Sequence, residues 1–230
     1  MQIQTGKCYN LDCEIGMKAM QEQGLIADWC ITDVPYGINI TEKTKKTNGT
    51  RYGNGRARKG IYECGDWDKR RIDDSYFDLM RSVSQNQIIF GGNYYTDLLP
   101  PTGGWIVWDK RAYNLADRNC YGDCELAWSN TNTMRIFRYH FTGMIQGDAR
   151  NKDKRFHPTQ KPTQIWSQLL EHYTKEGDII LDAFAGSQSL HIACIRLKRR
   201  YIGFEIDKGY YEKGCEWVES EKRQKTIWEL

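Results

Sequence analysis

Residues 179 to 207 read IILDAFAGSQSLHIACIRLKRRYIGFEID, and on this stretch the fold turns. An apolar run, Asp178 to Leu181, reaches a turn of small residues, Asp182 to Ser187. Apolar residues at helical spacing follow from Gln188 to Leu197, and a second apolar run, Tyr201 to Glu205, closes the unit. This is a βαβ pattern, which places two parallel strands side by side and any ligand at their carboxyl ends. The turn has one glycine, Gly186, where a dinucleotide fingerprint uses three, and it has no Walker lysine. Phosphate binding is therefore not expected.

Glu205 lies about 20 residues beyond the turn, where an acid commonly takes a ribose diol. A carboxylate at Asp182 suits a cofactor that carries an ammonium and a sulfonium. S-adenosylmethionine has both, and its adenosine supplies the ribose. Taken alone, the unit also allows a plainer reading, with Asp182 capping the helix and Glu205 an ordinary strand-end acid.

Outward from this unit, short apolar runs keep alternating with helical patterns, as expected for an α/β protein. Strands are expected at Gly6–Leu11, Ala27–Thr32, Gln87–Gly91 and Gly104–Asp109. Glu125–Ser129 and Met134–His140 read as a strand pair around the polar turn SNTNT. Helices are expected at Ile15–Glu22 and at Ile72–Gln85, capped from Asp73, Asp74 or Ser75. Two more are expected at Asn93–Leu99, stopped by Pro100-Pro101, and at Pro162–Tyr173.

The chain has 230 residues, which suits one well-buried domain. Aromatic content is 13%, with eight Trp and fourteen Tyr, more than a core requires, so surface stacking is expected. No charge-free apolar stretch approaches a membrane span, and the first residues lack a signal-peptide pattern, so a cytosolic protein is expected. The eight cysteines are scattered, which points to reduced thiols. Neither Cys8/Cys13 nor Cys120/Cys124 has zinc-knuckle spacing, and no metal is expected.

Net charge is only +3, but its distribution is uneven. Lys43, Lys45, Lys46, Arg51, Arg56, Arg58 and Lys59 fall in the glycine-rich stretch 41 to 60, against Glu42 alone. A second basic segment holds Arg150, Lys152, Lys154 and Arg155. Each alone reads equally as a solvated loop. Two such segments around one site point to a polyanion such as nucleic acid.

One motif remains: TDVPYG, residues 32 to 37, after the strand Ala27–Thr32. By itself it is a strand ending in a proline turn. Together with NLDC at 10–13, DCELAW at 123–128, HPTQKP at 157–162, LDAFAGSQS at 181–189 and GFEID at 203–207, it resembles a known family. These segments are similar, in order and spacing, to the amino-methylating DNA methyltransferases with a (D/N/S)PP(Y/F/W) motif, in the permuted subgroup where that motif precedes the cofactor loop.

The resemblance implies a Rossmann-like S-adenosylmethionine-dependent methyltransferase fold: a mixed, mostly parallel sheet with helices on both faces. It implies a single domain over residues 1–230. Residues 1–140 form the catalytic half, 141–156 a small recognition segment, and 157–230 the cofactor half. It implies that Asp33 and the Val34 carbonyl accept the hydrogens of a target amine, that Pro35 stiffens the turn, and that Tyr36 stacks on a base flipped out of DNA. Asp12 and Cys13 then meet the cofactor's adenine, and Asp33 and Asp182 its methionine end. Phe184, Gly186 and Ser187 form the loop wall, Glu205 takes the ribose, and Lys161 with Thr159 approaches the cofactor carboxylate. His157 reads as a solvent-facing loop residue, and Trp128 stands open between core and pocket.

Asp in the motif, rather than Ser, favours adenine N6 over cytosine N4. Two departures from the family pattern bear on activity: Val34 replaces the first proline, and Gln188 stands where the cofactor loop carries glycine. They keep a catalytically impaired DNA-binding relative open as an alternative, beside a cytosine-N4 enzyme. Methylation of a protein glutamine fits less well, given the two basic segments. The oligomeric state stays open, a homodimer included.

Overall fold

The computed structural model describes residues 1–38, 68–112, 122–142, 145–147 and 152–228. The basic stretch 41–60 and Arg150 lie outside the described residues. Eight strands form one sheet. In chain order they are β1 (Lys7–Asn10), β2 (Ala27–Asp33), β3 (Ser84–Phe90), β4 (Ile106–Asp109), β5 (Cys124–Ser129), β6 (Arg135–Arg138), then β9 (Ile179–Asp182) and β10 (Arg200–Glu205). Between β6 and β9 a two-stranded hairpin, β7 (Phe141–Thr142) and β8 (Ile145–Gln146), stands apart.

The order across the sheet is β1-β10-β9-β2-β3-β5-β4-β6. The run β1-β10-β9-β2-β3 is parallel throughout, and β5 is antiparallel to both of its neighbours. Strand β2, from the N-terminal half, thus lies directly against β9, from the C-terminal half, pairing Trp29 with Ile180 and Cys30 with Leu181. Their carboxyl ends emerge side by side.

Two apolar clusters cover the two faces. One joins Cys30, Ile89, Leu181 and Phe204 to helices α1 (Cys13–Glu22) and α2 (Asp74–Val83), through Met17, Met20, Phe77 and Met80. The other joins Trp29, Ile31, Ile88, Phe90 and Ile180 to α3 (Thr163–Tyr173) and α4 (Ser189–Arg196), through Trp166, Leu169 and Ile192. Neighbouring strand residues enter opposite clusters, as the pleat requires. Each large side chain so buried contributes about 1.5–3 kcal/mol.

The caps follow local chemistry. Asp12 accepts from the Glu14 N–H at 2.8 Å, and Asp73 from the Ser75 N–H at 3.0 Å. Each satisfies a donor that its helix leaves open.

Three expectations need correction, and one further element appears. Helix α2 stops at Val83 rather than Gln85, because Ser84 already pairs with Ala27 while its hydroxyl takes the Met80 carbonyl at 2.6 Å. The segment Asn93–Leu99 forms only one 3-10 turn, Gly92–Tyr94. There the tertiary bonds of buried Tyr95, which donates to the Pro35 carbonyl and accepts from the Ile72 N–H at 3.1 Å, override local helix preference. Strands β5 and β6 do not pair with each other, since β4 lies between them and buries Ile106 and Trp108. Finally, α5 (Lys208–Trp228), a largely polar helix of 21 residues, follows β10 where no element was assigned. Among the described residues no helix is long and apolar enough to cross a membrane.

Candidate active site

Two acid-bearing turns meet where β2 and β9 end. Thr32, fully buried, joins them: its hydroxyl donates to Asp182 Oδ1 at 3.0 Å and accepts from the Phe184 N–H at 3.1 Å. One side chain of the TDVPYG stretch therefore sets the height of the DAFAGS turn. Its importance was not visible in the sequence, where a strand-end threonine is unremarkable.

Asp33 begins a network of charged groups. Tyr36 donates its hydroxyl to Asp33 Oδ1 at 2.8 Å, and the Lys161 ammonium lies 2.5 Å from Asp33 Oδ2. The same ammonium lies 3.1 Å from Glu125 Oε2 and 3.2 Å from the Tyr36 hydroxyl oxygen. Three acceptors thus surround its three donors. Glu125 in turn holds Lys110 at 3.1 Å through Oε1.

Burial pushes the Asp33 carboxyl above its usual range, more strongly than Lys161 pulls it down, and Glu125 adds to the rise. Burial acts upward on Glu125 too, but Lys161 and Lys110 outweigh it and hold this carboxyl below its usual range. Burial opposes the charge of Lys161, yet Asp33 and Glu125 together keep the ammonium protonated. The site thus separates two carboxylates: Glu125 is the settled anion and Asp33 the better proton acceptor. Lys161, expected with Thr159 near a cofactor carboxylate, lies against Asp33 of the TDVPYG motif. Glu125 and Lys110 complete the network from β5 and from the residue following β4, a convergence that no sequence spacing announces.

The aromatic half of the site is equally ordered. Tyr36 stacks on Tyr94, with ring centroids 4.9 Å apart and planes 22° from parallel. Gly91, at φ 78°, leaves room for that ring; a Cβ there would strike Tyr36. Val34 is only 2% exposed within the first cluster, so packing anchors the backbone where the family's proline ring would. Trp128 belongs to that cluster and donates its indole N–H to the Pro100 carbonyl at 2.8 Å, so it is core rather than pocket.

Along the other turn, Gly186 donates its N–H to Glu205 Oε2 and Asp207 donates to Oε1, both at 2.7 Å. Burial pushes Asp182 and Glu205 each up to about 7, against the hydrogen bonds that each accepts, from Thr32 for Asp182 and from Gly186 and Asp207 for Glu205. Phe184 lies tilted against Tyr76, with centroids 6.3 Å apart, and burial, with a smaller contribution from Asp12, raises the Tyr76 hydroxyl's pKa. Cys13 and Ser187 are buried, and Thr159 shares a 3.3 Å contact with His157.

His157 is itself buried against Tyr210, beside Gly186, and is not the solvent-facing residue expected. Burial drives its pKa down to about 3, so it is neutral. Gln188 takes a left-handed backbone, φ 61°, and turns its side chain away from the turn. Its amide donates to the Tyr211 carbonyl at 3.0 Å and its oxygen faces His191 Nδ1 at 3.4 Å. Gly214 leaves the space that this amide fills.

Two carboxylates whose pKa values burial raises to about 7, an aromatic wall from Phe184 and Tyr76, and the acids Asp12 and Glu205 at the strand ends fit a cationic nucleoside cofactor.

The family model described as DNA methylase, of the N6_N4_Mtase type, matches residues 101–216, about half of the chain. The chain belongs to this family. Among curated relatives, Type II methyltransferase M2.DpnII of Streptococcus pneumoniae is 42% identical over 194 residues, covering 80% of this chain and 65% of that protein. The chain spans less than two thirds of the length of such relatives. Two solved structures share the fold. The structure titled M1.HpyAVI-SAM complex gives a TM-score of 0.56 at 20% identity, covering 91% of this chain and 98% of that one. The PvuII DNA methyltransferase, titled cytosine-N4-specific, gives 0.56 at 12% identity, covering 93% and 86%.

Within this member of the family the second basic segment is divided. Lys152 and Lys154 are exposed, whereas Arg155 donates to the Pro158 carbonyl at 2.6 Å and lies 5.7 Å from the Phe141 ring centroid. Asp153, between the lysines, accepts from the Thr163 N–H at 2.7 Å and its hydroxyl at 2.9 Å, capping α3 where Pro162 cannot. Arg150 and the seven basic residues from Lys43 to Lys59 lie outside the described residues, so the structure tests neither set. Among the described residues no group of three metal-ligating side chains converges.

Proposed function

We propose that this DNA methylase transfers a methyl group from S-adenosylmethionine to the exocyclic amine of a base extruded from DNA, with adenine N6 favoured over cytosine N4. The observation that carries the reading is the hydrogen-bonded union of Asp33's strand end with Asp182's through Thr32. It sets an amine acceptor beside a cofactor turn.

Bound there, the cofactor supplies an electrophilic methyl on a sulfonium. Asp182 faces its cationic end, Glu205 its ribose, and Asp12 with Cys13, Tyr76 and Phe184 its adenine. The exocyclic amine is a poor nucleophile because its lone pair is conjugated into the ring. Asp33 and the Val34 carbonyl accept its two hydrogens and favour a pyramidal nitrogen. Positioning and charge complementarity then lower the barrier more than a strong base would. The incoming amine takes the place of the Tyr36 hydroxyl on Asp33 Oδ1, while the Tyr36 ring offers the base a stacking face worth about 1–3 kcal/mol.

The preference for adenine follows the motif acid, Asp33. A single domain spanning 1–230, a small recognition segment at 141–156, DNA contacts through the basic segments and action in the cytoplasm belong to the same reading. Burial of Val34 and the outward turn of Gln188 favour an active enzyme over an impaired relative. The decisive experiment incubates the protein with DNA and methyl-labelled cofactor, then maps the modified base by modification-sensitive sequencing. Label on cytosine N4 would overturn the base preference, and no label despite binding of both cofactor and duplex would overturn the activity.

A further inference from the structure

We propose that Glu125 is a positioning residue for the TDVPYG motif: it holds one side of the Lys161 ammonium, so that the cation's charge is shared by two carboxylates and not spent on Asp33 alone. Asp33 is thereby left able to accept hydrogen from the target amine. This rests on the methyl-transfer reading above for its catalytic consequence, though its structural core does not.

The argument begins with a conflict. A carboxylate paired at 2.5 Å with a buried ammonium, 4% exposed at its side chain, is a weak acceptor, since the lone pairs facing the cation are spent. An enzyme that needs Asp33 as acceptor gains nothing from Lys161 unless another anion shares the charge. Glu125 is that anion, 3.1 Å from the same nitrogen. Lys110, 3.1 Å from its other oxygen, compensates Glu125 from behind. Two carboxylates and two ammoniums then balance, and no isolated charge is left in the low-dielectric pocket.

The other titratable groups facing the pair do not alter the balance. The Tyr36 hydroxyl bridges Asp33 at 2.8 Å and Glu125 at 3.5 Å, and burial and both acids push its pKa well up, so it stays neutral. Tyr94 stacks on Tyr36, and Asp33 raises the pKa of Asp182 from beyond Thr32. Of the two carboxyls, Asp33 is held above its usual range and Glu125 below, so a proton released by the amine goes to Asp33.

The balance of the step is simple. The nitrogen–carbon bond forms, the carbon–sulfur bond breaks with its electron pair on sulfur, and the proton lost from nitrogen moves to Asp33.

The test uses the full chain with Glu125→Gln, Lys161→Met and Glu125→Asp. Its first readout, independent of turnover, is the Asp33 carboxyl titration by isotope-edited infrared spectroscopy, with Asp33→Asn identifying the band. Removing the negative charge in E125Q should lower the Asp33 pKa, and removing the positive charge in K161M should raise it, each by about one unit or more. E125D should titrate close to the parent protein.

The second readout is methyl transfer. In E125Q kcat should fall about tenfold with the KM for DNA little changed, and the acid limb of the profile should move to lower pH. In K161M that limb should move to higher pH. Shifts in one common direction, or none, would overturn the proposal, as would a loss of DNA affinity in E125Q with kcat intact. If the parent protein transfers no methyl while the carboxyl titrations diverge as stated, the activity reading fails and the positioning role stands.

Discussion

The two turns at the head of the sheet are built differently. The DAFAGS turn is stabilised largely by groups near it in the chain: Gly186 and Asp207 donate main-chain N–H groups to Glu205, and Gln188 closes on α5, with Thr32 bracing the turn from β2. The TDVPYG turn is stabilised by side chains drawn from distant segments: Lys161 before α3, Glu125 on β5, Lys110 after β4, and Tyr95 and Tyr94 after β3. A cofactor site can be local because its ligand brings a fixed shape. On the proposed function, a site that grips a base and tunes an acid needs charges that no short segment can supply.

The sharpest way to break this contrast is Asp33→Ala. It should lower methyl transfer by about 10²–10⁴-fold and leave cofactor affinity, measured by calorimetry, nearly unchanged. Equal loss of both would mean that the two turns are not separable.

Thr32→Val removes the one hydroxyl shared between them and strands the Phe184 N–H and an Asp182 oxygen. A cost of about 2 kcal/mol follows, seen as a fall in Tm of roughly 4–8 °C. A thermal shift within error would show the union to be incidental.

The acids of the cofactor turn carry a pH signature. Asp182 and Glu205 have folded pKa values raised to about 7, so the native state binds more protons than the unfolded chain below that value. Their contribution to stability is full below about pH 4, the unfolded carboxylate range, and is lost as pH rises through 7. A cationic cofactor favours the ionised forms, so its binding should release protons near pH 7 and fewer at pH 9. Calorimetry in buffers of different ionisation enthalpy measures this directly.

Tyr94→Ala should have a smaller effect, removing a stack worth about 0.5–1.5 kcal/mol, with Tm lowered accordingly. Smallest of all, Lys154→Ala should reduce the slope of log affinity for DNA against log salt by about 1, leaving stability unchanged. Arg155→Ala should do the reverse, because Arg155 is packed and Lys154 is exposed.

The legibility of the molecule follows the same division. Strands β2, β9 and β10 and helices α1, α3 and α4 were readable within a residue or two, because their apolar spacing and caps are local signals. The segment Asn93–Leu99 was misread because Tyr95 answers to Pro35 and Ile72 rather than to its neighbours. The supposed β5–β6 hairpin failed because β4, earlier in the chain, inserts between them. His157 was misjudged because a loop histidine shows its burial only when Tyr210 of α5 closes over it.

By itself, the order of residues determined the βαβ unit, the two strand-end acids and the family to which they belong, since hydrophobic period and turn chemistry act over a few residues. Only the tertiary structure decided that Lys161 serves Asp33, that Glu125 shares it, and that Thr32 joins the two turns. Those contacts link residues from 36 to 152 positions apart. Burial and charge act through space, and the value of each group depends on neighbours that the chain reaches only when folded.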